Sequence, residues 1–178
     1  IRDRFMNGLC STMNHAVCHY GKENKINSMG TTAAMLAFGK ENVYSCNLGD
    51  SRIYQISSEG KLGQLSLDHV LGGGRFGKPP LTQYLGIPEE SMGLEPTIVP
   101  QKAEIGTRYL ICSDGITDML SDGEIADILT REISVSETVE LLVERALIKG
   151  GRDNITVILC ELVEQEKSLF GKLLNYFL

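Results

Sequence analysis

The sequence predicts an α+β fold in which helices cover antiparallel sheet. Short apolar runs follow one another at 30–38, 42–48, 51–57 and 62–67, at strand length and strand spacing. The helical patterns fall elsewhere, at 2–20, after Ser121 and at 136–148. Strands grouped with strands and helices with helices favour α+β over an alternating parallel sheet. A third observation concerns two acidic motifs. Ser113-Asp114-Gly115-Ile116-Thr117-Asp118 follows the apolar run Tyr109–Cys112, and Gly151-Arg152-Asp153-Asn154 precedes the run Ile155–Leu159.

The elements follow in order. In 2–20, Phe5, Leu9, Met13 and Val17 stand about one helical turn apart on one face. Residues 21–28 are polar and read as a loop. Gly39-Lys40-Glu41-Asn42 and Ser58-Glu59-Gly60-Lys61 read as hairpin turns, so the four runs form a meander. Residues 71–80, with Gly72-Gly73-Gly74 and Pro79-Pro80, form a loop, and 81–86 a short helical turn. Strands are expected at 97–101 and 107–112. Ser121, with Glu124 three residues on, is a capping box for a helix carrying Ile125, Ile128 and Leu129. Ser136 is the expected N-cap of the last helix, which places Val139, Leu142, Val143 and Ala146 on one face. Residues 155–162 are the final strand. The domain is expected to span 1–163. A tail at 164–178 follows, in which Leu169, Leu173, Leu174 and Phe177 make an amphipathic helix suited to packing on the core or on a partner.

Composition narrows the function classes. The chain has 178 residues, 42% hydrophobic and 22% charged, enough for one domain with a core. A net charge of -6 argues against nucleic acid, whose recognition needs clustered Lys and Arg. Five cysteines, an odd number without a CxxC pair, favour a reducing, cytoplasmic setting over a disulfide framework. No apolar run reaches membrane-spanning length. His15 and His19, four apart on a helix, read as a solvated face, since no third ligand is evident.

The acidic motifs carry the chemistry. A carboxylate at the end of a buried strand is held rigidly. Several converging without basic partners repel one another unless a divalent cation neutralises them, so a hard-metal site of Asp oxygens is expected. Each residue alone has a plainer reading. Asp114 and Asp118 could serve a helix start, Asp153 an Asx-turn, and Asp50 a tight hairpin turn with Arg52 as its ion-pair partner.

Four further motifs stand in order before these: Met29-Gly30-Thr31-Thr32, Gly49-Asp50-Ser51-Arg52, Leu67-Asp68-His69 and Leu81-Thr82-Gln83-Tyr84-Leu85-Gly86. The series of six resembles the bacterial form of the metal-dependent protein serine/threonine phosphatases, the protein phosphatase 2C or PPM family, from about Met29 to Leu162. The resemblance implies an α-β-β-α sandwich with a manganese or magnesium cluster at one end of the paired sheets. It implies Asp114 and Asp153 as ligands of the principal metal pair, and Asp50 and Asp118 as ligands of a third, accessory ion. The implied activity is hydrolysis of phosphoserine and phosphothreonine in proteins by a metal-activated water. Phosphorylated proteins would be the substrates, and a serine/threonine kinase the opposing enzyme.

The sequence also departs from the family pattern. It contains no Asp-Gly-x-Gly-Gly, which supplies the carboxylate bridging the metal pair, and no Arg near Asn-Glu-Asp, which holds the substrate phosphate. The sandwich is therefore expected to be N-terminally incomplete, with impaired activity, open sheet edges and a tendency to self-associate. Asp68 and Glu104 are the carboxylates considered as substitutes for the bridging ligand. His69 is expected to order a loop by hydrogen bonding. The alternative function is a non-catalytic interaction or regulatory module of the same fold. A more distant one is an acidic domain whose carboxylates only cap turns.

Overall fold

A computed structural model describes residues 2–72, 78–88 and 90–164. The helix expected at 165–178, and the centre of the loop expected at 71–80, lie outside the described residues. The first helix, α1 (Arg2–Glu23), runs past its expected end. Its inward stripe is also rotated from the one the apolar spacing suggests. Met6, Cys10 and Asn14 are buried, flanked by Met13 and Val17, while Phe5 is 66% and Leu9 36% exposed. A polar residue holds this stripe because both the nitrogen and the oxygen of its amide are hydrogen-bonded. Asn14 donates to the Ile87 carbonyl at 2.9 Å and accepts from the Gly86 N–H at 2.7 Å.

The strands are β1 (Ala33–Phe38), β2 (Asn42–Leu48), β3 (Arg52–Ile56), β4 (Leu62–Gln64), β5 (Thr97–Lys102), β6 (Arg108–Cys112) and β7 (Val157–Glu161). They do not form one meander. They divide into an antiparallel three-stranded sheet, β1-β2-β5, and an antiparallel four-stranded sheet, β4-β3-β6-β7. The hairpins β1–β2 and β3–β4 form as expected, but Gly49-Asp50-Ser51 is a crossover between the sheets. Its conformation is set by Gly49 at φ +102 and by His69. The Gly49 N–H donates to His69 Nδ1 and the His69 N–H donates to the Gly49 carbonyl, both at 3.1 Å. No helix forms at 81–86; Leu81 and Leu85 instead make isolated bridges to Val70 and Thr31.

The remaining helices are α2 (Asp114–Thr117), α3 (Asp122–Leu129) and α4 (Val135–Ile148). Ser121 and Glu124 form the expected capping box on α3. The N-cap of α4 is Ser134, not Ser136, because only Ser134 has a Glu at the third helical position to close a reciprocal box, through Glu137.

Alternation along each strand separates two cores. Cys46 and Leu48 of β2 face α1, together with Met6 and Cys10. Tyr54, Leu110, Cys112 and Leu159 face α2, α3 and α4, against Ile116, Ile125, Leu142 and Ala146. The opposite faces meet between the sheets, where Phe38 of β1 and Tyr109 of β6 make an edge-to-face contact at 5.9 Å. The layers are therefore α-β-β-α, as the resemblance implied. Among the described residues no helix is long and apolar enough to cross a membrane.

Candidate functional site

Strand register assembles the acidic motifs. Arg52 pairs with Cys112, and Cys112 with Val157. The start of β3, the end of β6 and the start of β7 therefore share one end of the sheet. Ser113 extends this ladder beyond the strands. Its N–H donates to the Thr156 carbonyl at 3.0 Å. Its hydroxyl accepts from the Thr156 N–H at 3.0 Å and donates to the Asn154 carbonyl at 3.2 Å. Gly115 lets the two motifs touch. A Cβ there would lie 2.2 Å from the Asn154 carbonyl oxygen, so any larger residue would push α2 away from the Asp153 loop.

Asp114 is the first residue of α2 and Asp118 its C-cap, one turn later. The N-cap is Ser113, which makes no side-chain capping bond, so Asp114 and Asp118 do not cap the helix start. Both carboxylates, with that of Asp153, meet a single ammonium. Lys78 forms an ion pair with Asp114 and lies 3.4 Å from Asp118 and 3.7 Å from Asp153. The acidic cluster thus has a basic partner that the sequence reading did not expect. Nothing in the sequence marks Lys78 out, since it belongs to none of the motifs and is brought in by the chain path before Pro79-Pro80. Asp153 also accepts a 2.8 Å hydrogen bond from the Asn154 N–H, which fixes its local turn.

Asp50 sits in the crossover at the same end of the sheets, beside the 2.9 Å hydroxyl pair of Thr32 and Ser51, but is not among the partners of Lys78. Arg52 is not its partner either. The guanidinium turns to Asp68, with a closest approach of 2.7 Å, and donates to the Tyr54 hydroxyl at 2.9 Å. Tyr54 in turn donates to Asp122 at 2.8 Å. This network ties β3, the Leu67-Asp68-His69 segment and the start of α3 together behind the site. It also commits Asp68 as a structural counter-ion. Glu104 precedes β6, at the far end of that strand from Asp114, and pairs with Lys102 at 3.7 Å. Neither is a substitute for a bridging ligand.

His69 has the loop-ordering role expected of it. Because Nδ1 accepts from Gly49, the proton sits on Nε2, which donates to Thr97 Oγ1 at 3.0 Å. Burial lowers its pKa, opposed by the charges of Asp68 and Glu95. Cys112, beneath the site, has its thiol pushed up to about 12, chiefly by burial, and is a packing residue rather than a nucleophile.

The profile of the family described as Protein phosphatase 2C matches residues 2–149. The chain belongs to the protein phosphatase 2C family. It is 34% identical over 156 residues to the serine/threonine phosphatase stp of Listeria welshimeri, covering 82% of this chain and 62% of that relative. The S. agalactiae serine/threonine phosphatase superposes with a TM-score of 0.78 at 30% identity, over 92% of this chain and 71% of that one. The catalytic domain of the serine threonine protein phosphatase PstP, solved in complex with 2 manganese ions, superposes with a TM-score of 0.73 at 32% identity, over 85% of this chain and 67% of that one. This member of the family thus spans less than two thirds of the Listeria relative.

The site of this protein phosphatase 2C chain fits a hard divalent ion in its chemistry. Its donors are carboxylate oxygens, they already gather around a cation, and each is partly open to solvent. With Lys78 among them the three carboxylates are not spaced as a ready ligand set, and no other His, Cys, Asp or Glu trio among the described residues is.

Proposed function

We propose that the chain forms the central and C-terminal part of a metal-dependent phosphatase acting on phosphoserine and phosphothreonine in proteins. The observation that carries this reading is the meeting of Asp114, Asp118 and Asp153 around one positive charge at the end of β6. Asp114 and Asp153 would hold the principal manganese or magnesium ions, with Asp118 and Asp50 at an accessory one. When bound, such ions supply Lewis acidity toward water and phosphoryl oxygen. The chain's own residues supply placement. Ser113 and Gly115 lock the two acidic motifs together, and the Arg52–Asp68 pair stiffens the strand beside them. Family membership supports phosphorylated protein substrates; a kinase as the opposing activity and the cytoplasm as the setting are part of the same proposal.

The chain contains neither the Asp-Gly-x-Gly-Gly nor the Arg of the phosphate clamp. Groups that act as a unit are not replaced by those that remain. The 178 residues alone should therefore bind manganese weakly and hydrolyse a phosphothreonine peptide at well under ~1 per second. Joined to the N-terminal portion of a full-length relative, they should hydrolyse it at ordinary enzyme rates, and Asp114→Asn should return the chimera to background. A second reading, a non-catalytic module of the same fold, draws support from Lys78 at the centre of the acidic site. A folded chimera that binds manganese yet leaves the peptide intact would favour that module and sink the phosphatase reading.

A further inference from the structure

We infer that Lys78 is a built-in counter-cation that competes with the divalent ion for the acidic site. The inference rests on the metal-binding part of the reading above. One ammonium pairs with Asp114, Asp118 and Asp153 together, and these carboxylates come from α2 and from the separate Asp153 loop. Without a cation between them, three anions at this spacing would repel one another and splay α2 from the Asp153 loop. Lys78 answers that repulsion with a charge the chain carries itself.

The ammonium is also tethered. Two residues after Lys78, the Pro80 carbonyl accepts from the Leu71 N–H at 3.0 Å, and Leu81 bridges Val70. The backbone at Pro80 and Leu81 is thus fixed to Val70 and Leu71, and the flexible four-carbon stem of Lys78 leaves the head group free to enter or leave. An intramolecular competitor of this kind acts at a high effective concentration at every protein dilution. The ammonium sits among the three carboxylates, in the space an ion shared by them would take, and two cations so close would repel, so binding is an exchange: the ion enters as the ammonium leaves. No covalent bond changes. Arg152, next to Asp153 in sequence, has no ion pair with these carboxylates, so the role belongs to Lys78 among the described residues.

Two measurements test the exchange. The first is calorimetric titration with Mn2+ of wild type, Lys78→Met, Lys78→Arg and Lys61→Met. Lys61→Met removes one positive charge from the β3–β4 turn, at the other end of β3 from Arg52. Lys78→Met should bind about tenfold more tightly, the scale of a few partly exposed ion pairs. Lys78→Arg and Lys61→Met should stay within about threefold of wild type. The second measurement uses wild type alone: brief acetylation of amines, with Lys78 followed by mass spectrometry. Saturating Mn2+ should raise labelling of Lys78 relative to Lys61. Unchanged or weaker binding by Lys78→Met, or labelling of Lys78 that ignores Mn2+, overturns the inference and leaves the metal site standing. If neither wild type nor Lys78→Met binds Mn2+, the metal reading itself falls and the inference with it.

Discussion

Single residues set the geometry of the site by what they lack or by the bonds they exhaust. Gly115 matters for its missing Cβ, and Ser113 for a hydroxyl that both donates and accepts across the two acidic loops. His69 matters for its tautomer. Its Nδ1 must stay unprotonated to accept from Gly49, and burial holds its pKa below the usual 6.5. A histidine with a depressed folded-state pKa binds fewer protons folded than unfolded. Its contribution is therefore complete above pH 6.5 and is lost as pH falls below it. Urea midpoints of the wild type should drop between pH 7 and pH 5, and His69→Gln should flatten that part of the profile. An identical slope in both proteins would remove His69 from this account. The motif Leu67-Asp68-His69 was legible in the sequence, and so was a loop-ordering role for His69. Its partners, Gly49 and Thr97, were not, because they are 20 and 28 residues away along the chain.

At the scale of elements, local chemistry decided most boundaries, and the exceptions have physical causes. The capping box on α3 could be read directly, since Ser121 and Glu124 are three residues apart. On α4 two serines compete, and the choice falls to the one whose third helical neighbour is Glu. Ser134→Ala should destabilise the protein by about 1 kcal/mol, whereas Ser136→Ala should change it by only a few tenths. Chemical denaturation of the two variants separates the assignments, and a larger loss for Ser136→Ala would reverse them. The α1 stripe was misplaced for a different reason. Apolar periodicity counts Phe5 and Leu9 as inward, but the buried positions include Asn14, whose amide is satisfied only by the distant Gly86 and Ile87.

At the scale of the whole molecule, the described residues form two sheets held between two helical layers, and among them the outer sides of the edge strands carry no strand partner. β7 is the outer strand of its sheet, and Ile158 on it is 51% exposed; Phe38, at the end of the edge strand β1, is 49% exposed. Exposed apolar side chains on an unpaired edge recruit other chains. We expect concentration-dependent self-association in sedimentation velocity and a shift toward monomer for Ile158→Lys, with helical and sheet content unchanged by circular dichroism. A wild type that sediments as a monomer at all concentrations would show that these edges are protected in solution.

By itself the sequence determined the fold class, most of the helices and strands, and which carboxylates belong to the acidic motifs. Periodicity, capping chemistry and short motifs are local properties, and local interactions suffice to express them. The tertiary structure decided how the strands divide into two sheets, because Gly49-Asp50-Ser51 reads alike as a hairpin or a crossover until His69 binds both polar groups of Gly49. It also decided the partner of Arg52, which is Asp68 rather than the nearby Asp50. Above all it decided the charge balance of the site. Register and the close approach at Gly115 bring Asp114, Asp118 and Asp153 to one place, and the chain path before Pro80 delivers Lys78 to them. Electrostatic partners are chosen by distance in space, and that distance exists only once the chain has folded.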